Sequence, residues 1–119
     1  MATTVSRIPL SGSADGRSIL VAATTSAGTT IHTATASTTD CDVVTIYAYN
    51  SSSASVNLTL QWGGTTSVSD DIKLSIPATS GLTLVIPDLV IRNSLIVKAY
   101  AGTTNVITIQ GFANRVITV

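Results

Sequence analysis

The sequence predicts an all-β fold: a single antiparallel β-sandwich, jelly-roll-like in its organisation. Three observations predict it. Apolar and polar residues alternate with period two in short runs, turn-forming residues separate the runs at hairpin-like spacing, and no stretch carries helical periodicity. The alternative is an immunoglobulin-like Greek key, although the Cys…Trp…Cys pattern of antibody domains is absent.

Taken in order, residues 1–15 read as an extended N-terminal arm closed by a turn at Asp15-Gly16, and residues 16–119 as the sandwich domain. Ser18 to Thr24 is a strand, and Thr29 to Ala34 a weaker, Thr-rich strand suited to an edge. Val43 to Tyr49 places Val44, Ile46 and Ala48 on one face and Thr45, Tyr47 and Tyr49 on the other. Val56, Leu58, Leu60 and Trp62 share a face opposite Asn57, Thr59 and Gln61, and Gly63-Gly64 ends that strand. The short polar connection at 50–55 predicts that these two strands form an antiparallel hairpin. Ile72, Leu74 and Ile76 alternate until Pro77; Leu82, Leu84 and Ile86 alternate until Pro87-Asp88. Leu89 to Ile91 is a brief apolar stretch. Leu95 to Tyr100 is apolar on both faces apart from Lys98, so it is expected at the centre of a sheet. Ala101 to Asn105 reads as a second hairpin loop. Val106 to Gln110 follows, with Gly111 expected as a bulge or kink before Phe112 to Val119.

The 119 residues fit one domain, large enough to bury a core without staples. Hydrophobic residues make up 45% of the chain and charged residues 10%, well below the roughly 25% of an ordinary soluble domain. Glu is absent, and Ser and Thr fill 35 positions. The net charge is zero, which gives little colloidal repulsion and favours association. The six basic residues, Arg7, Arg17, Lys73, Arg92, Lys98 and Arg115, form no stripe, so nucleic acid is not an expected partner. The opening residues lack a basic segment followed by an apolar core, so no secretory signal is expected. The longest apolar run, Leu82 to Ile91, is broken by Pro87 and Asp88, so no membrane partner is expected either.

Few residues suggest chemistry. His32 is the sole histidine and has no acid close by in sequence; it is expected as a surface or edge-strand imidazole. Cys41, the sole cysteine, lies between Asp40 and Asp42, whose charge disfavours a thiolate. Asp40, Asp42, Asp70 and Asp71 offer hard oxygens but no Ca²⁺ loop, and read as turn residues. Gly63-Gly64 is followed by no Lys, unlike a phosphate loop. No catalytic residue, metal site or cofactor is expected, and the chain is not expected to be an enzyme. Trp62 is expected as a core anchor. Tyr47 and Tyr49, together with Arg7, Ile8, Pro9 and Leu10 of the arm, are the candidate interface residues. An aromatic platform of Tyr47, Tyr49 and Tyr100 holding a sugar is the alternative use of the aromatics.

Three strings carry a likeness to a known class: IYAYN at Ile46 to Asn50, LTLQWGG at Leu58 to Gly64, and LIVKAYAGTTNVITIQGFANRV from Leu95 to Val116. With the Ser/Thr/Ala/Val-rich, acid-poor strands around them, the chain resembles the small all-β structural proteins of tailed bacteriophage virions, most of all head decoration (cement) proteins. The resemblance implies a homotrimer bound between major capsid protein subunits, stabilising the capsid. It also implies a place on the virion surface after synthesis in the host cytoplasm. Phage neck, tail and fibre components share the style, and a carbohydrate- or receptor-binding sandwich is a further alternative.

Overall fold

The computed structural model describes residues 3–118. These form nine strands and no helix: β1 (Thr3–Pro9), β2 (Ile19–Leu20), β3 (Thr29–Thr33), β4 (Cys41–Asn50), β5 (Val56–Trp62), β6 (Asp71–Ile76), β7 (Thr83–Ile91), β8 (Ile96–Ala101) and β9 (Ile107–Thr118). One sheet has the order β1-β9-β4-β7, with β2 continuing the β1 position along β9. The other has the order β3-β8-β5-β6.

The pairing makes this a jelly roll. β1 and β2 pair β9, β3 pairs β8, β4 pairs β7 and β5 pairs β6, all antiparallel, as four nested layers of one long hairpin. Two further pairings, β4 with β9 and β5 with β8, roll that hairpin into two facing sheets. The sheets meet over one apolar core. Val44, Ile46 and Ala48 from β4 and Ile107, Ile109 and Ala113 from β9 face Leu58 and Leu60 from β5 and Val97, Ala99 and Ala101 from β8, all fully buried. The alternation read from the sequence is the alternation of this core, because successive side chains of a strand point to opposite faces.

The connections differ from expectation. β4 and β5 do not form a hairpin: they lie in opposite sheets, joined by an arch over the core edge. Asn50 builds the arch. Its fully buried amide donates to the carbonyls of Ala54 (2.8 Å) and Ile76 (3.0 Å) and accepts from the backbone N–H and hydroxyl of Ser52. The loop at 101–105 likewise crosses between sheets. Each strand beside these loops carries a buried apolar face, and such faces are satisfied equally by pairing in one sheet or by packing across two.

Gly111 is neither bulge nor kink. β9 runs through it in continuous register with β4, Ile46 opposite Gly111. A Cβ at this position would lie 2.1 Å from the Thr45 carbonyl oxygen, so glycine is needed for close strand approach. Within this sheet the irregularities fall instead between β4 and β7, where the register shifts on both sides of Ile46 and Asp88 adopts a φ of 54°.

Of the expected arm, residues 3–9 are an edge strand of the sandwich, held to β9 in unbroken register from Thr3↔Thr118 to Pro9↔Phe112. The turn at Asp15-Gly16 is present, with both residues at positive φ and Arg17 N–H donating to the Ala14 carbonyl. Residues 1 and 2 lie outside the described residues. The chain exposes 6060 Å², close to the roughly 6,100 Å² expected of a 12.2 kDa monomer.

Candidate functional interface

The four-stranded sheet covers part of its own outer side. The segment at 22–28 lies across β5 and β8: Ala101 N–H donates to the Ala23 carbonyl, Gly28 N–H to Gln61 Oε1, and Gln61 Nε2 to Ser26 Oγ. Thr59 and Gln61, on the outward face of β5, are therefore buried despite their polarity. Its free edges are also guarded. Residues 11–12 clasp β3, with Gly12 N–H on the Ile31 carbonyl and Ser11 Oγ accepting from Thr33 N–H at 2.6 Å. The outer strand β6 carries exposed Lys73.

The five-stranded sheet keeps its outer face uncovered. Strand register lays out its rows. Arg7, Asn114, Val43 and Val90 form one; Pro9, Phe112 and Thr45 form the next; Gln110, Tyr47 and Leu84 form a third. Val5 (62% exposed), Val90 (58%) and Leu84 (49%) present apolar area to solvent. Between the rows lies a depression lined by Arg7, Tyr47, Leu84, Asp88, Phe112 and Asn114, among others. The Arg7 guanidinium sits 4.2 Å from the Phe112 ring centre, a cation–π contact, and its Nε donates to Asn114 Oδ1 at 3.0 Å. Thr45 Oγ1 donates to Asp88 Oδ1 at 2.8 Å across the β4–β7 irregularity.

Two of the candidate interface residues, Arg7 and Tyr47, thus meet in one depression, and Tyr49 and Pro9 share its face. Ile8 points the other way and packs against the core. Leu10 is corrected outright: at 1% exposed it is a core residue with no surface to offer a partner. Sequence reading missed Phe112, Asn114 and Asp88. Alternation along β9 puts Phe112 and Asn114 on one face, but only register with β1 and β4 shows what they face. Tyr100 lies on β8 of the other sheet, so the three tyrosines form no common platform.

His32 also departs from expectation. It stands on an edge strand but is fully buried, because residues 10–12 close over that edge and Asp42 reaches it from the opposite sheet. His32 Nε2 lies 2.8 Å from Asp42 Oδ2. Ser11 N–H donates to His32 Nδ1 at 3.0 Å, which assigns the ring proton to Nε2. Arg115 binds the same carboxylate bidentately, Nε to Oδ1 at 2.8 Å and Nη2 to Oδ2 at 2.9 Å, and Thr35 N–H adds a further bond. Burial alone would raise the Asp42 carboxyl, but the hydrogen bonds from Arg115 and His32 outweigh it and hold the group below its ordinary value. The Asp42 hydrogen bond raises Arg115 in turn. Both imidazole nitrogens are engaged, so no lone pair faces a nucleophile, and the arrangement works as a polar clasp between the sheets.

The other acids serve locally. Asp40 accepts from Thr118 N–H, Asp70 from Thr66 N–H and Asp71 from the Ser67 hydroxyl. Cys41 is half-buried at the start of β4, opposite Val116. Trp62 is partly buried against the core beside a groove of about 440 Å³ shared with Val90 and Leu95. Among the described residues, no three of His, Cys and Asp group closely enough to hold a metal ion. No family model, curated protein or solved structure matches the chain.

Proposed function

We propose that this chain is a structural subunit of a bacteriophage virion. It binds between major capsid protein subunits as a homo-oligomer and stabilises the shell. The observation that carries the reading is the uncovered outer face of the five-stranded sheet, apolar and aromatic with one cation and one anion, on a jelly roll whose opposite face is partly covered by its own loop. Thr, Val and Tyr lose less on desolvation than Lys or Glu, so such a face suits permanent contact with protein. The sequence resemblance to decoration proteins points the same way.

The test is location. An antibody against the chain should decorate the shells of purified phage particles whose genome encodes it, and the chain should sediment with those shells. Its absence from purified particles would reject the reading.

A second reading, a glycan- or receptor-binding module, is favoured by one observation: the depression combines an aromatic floor, Phe112, with the polar groups of Arg7, Asn114 and Asp88. Saturable glycan binding that disappears in Phe112→Ala would support it.

A further inference from the structure

We propose that a second copy of this chain docks on the outer face of the β1-β9-β4-β7 sheet, Arg7 of one copy meeting Asp88 of the other. The contact names the interface of the proposed homo-oligomer, and so rests on the self-association in that reading but not on the virion location.

Charge complementarity is the argument. The outward positions of this sheet hold one cation, Arg7 on β1, and one anion, Asp88 on β7. These strands are the two margins of the sheet, about 14 Å apart by strand spacing. Neither residue has an oppositely charged partner among the described residues, whose ion pairs both involve Asp42. Both side chains are nevertheless fixed in place. Arg7 is held by Asn114 and Phe112 through Nε and the face of its guanidinium, which leaves its terminal nitrogens available. Asp88 is held through Oδ1 by the Thr45 hydroxyl, which leaves Oδ2.

A half-turn about an axis running along the strands exchanges the margins of two such faces. Arg7 then lies against the partner's Asp88 and Asp88 against the partner's Arg7, so one operation satisfies both charges. It also brings the central strands together, with Phe112 and Tyr47 at the middle of the contact, where aromatic side chains contribute most. Four strands about 4.8 Å apart and 7 to 12 residues long give a face of roughly 620 Å², near the ~800 Å² per partner of a standard interface.

The experiment is light scattering on the full chain at micromolar concentration, comparing the wild type with Arg7→Asp, Asp88→Arg and the double reversal. Circular dichroism and thermal melting check that each variant folds. The wild type should run at twice the 12.2 kDa of one chain, as a two-fold contact requires, and a trimer would overturn it. Each single reversal should weaken association at least tenfold, and the double reversal should restore it. A wild type that stays monomeric overturns the proposal, including one that is monomeric but binds glycan on this face. So do single reversals that leave the mass unchanged, or a double reversal that fails to recover it. Oligomers that pass this test but never associate with shells would uphold the contact and reject the virion reading.

Discussion

His32 donates from Nε2 to Asp42 Oδ2 across 2.8 Å, with both side chains fully buried and each belonging to a different sheet of the sandwich. The bond therefore joins the two layers through the core. Arg115 completes the charge balance on Asp42, and Ser11 ties the N-terminal segment to the same imidazole. A buried carboxylate with this many donors is stable only while all of them are present.

Replacing Asp42 with Ala is expected to lower unfolding stability by about 3–5 kcal/mol, because it leaves the Arg115 charge and the His32 N–H without their acceptor. Urea denaturation monitored by Trp62 fluorescence measures it. A loss under 1 kcal/mol would contradict the clasp.

The same carboxylate gives the fold an acid limit. Its folded-state value lies below the ordinary 3.8, so between the two values the unfolded chain binds more protons and stability rises with pH. The contribution of Asp42 is complete above the ordinary value and is lost as pH falls through the folded one. Stability measured from pH 7 down to pH 2 should decline below about pH 4, and less steeply in Asp42→Ala.

Asn50→Ala removes four hydrogen bonds from the β4–β5 arch. The expected cost is about 2–4 kcal/mol by chemical denaturation. Asn50→Asp should not rescue it, since a carboxylate cannot donate to the Ala54 and Ile76 carbonyls.

Gly111→Ala should destabilise by about 2–3 kcal/mol, because its methyl group meets the Thr45 carbonyl and the β4–β9 ladder must part. Gly102→Ala is the matched control. Its nearest new contact is 3.9 Å away, and the change should stay within about 0.5 kcal/mol. Equal thermal shifts in the two variants would refute the close-approach account.

Leu10→Ala should cost about 2–4 kcal/mol of monomer stability, as for any buried leucine. A variant with unchanged melting but weakened association would return Leu10 to the interface.

What could be read from the chain alone was local. Val44, Ile46 and Ala48 on β4 and Leu58 and Leu60 on β5 were assignable to a core because a strand's side chains alternate whatever its neighbours are. The Asp15-Gly16 turn was equally legible from residue type. Pairing partners were not, because an apolar strand face is satisfied as well by the opposite sheet as by the adjacent strand; hence the expected β4–β5 hairpin became an arch. The polar clusters depended wholly on that wrapping. His32 and Asp42 are ten residues apart and Arg115 is 73 beyond Asp42, while Arg7 and Phe112 stand near opposite ends of the chain. Periodicity within a strand determined which side chains turn inward, and only the rolling of the nested hairpin decided which of them meet.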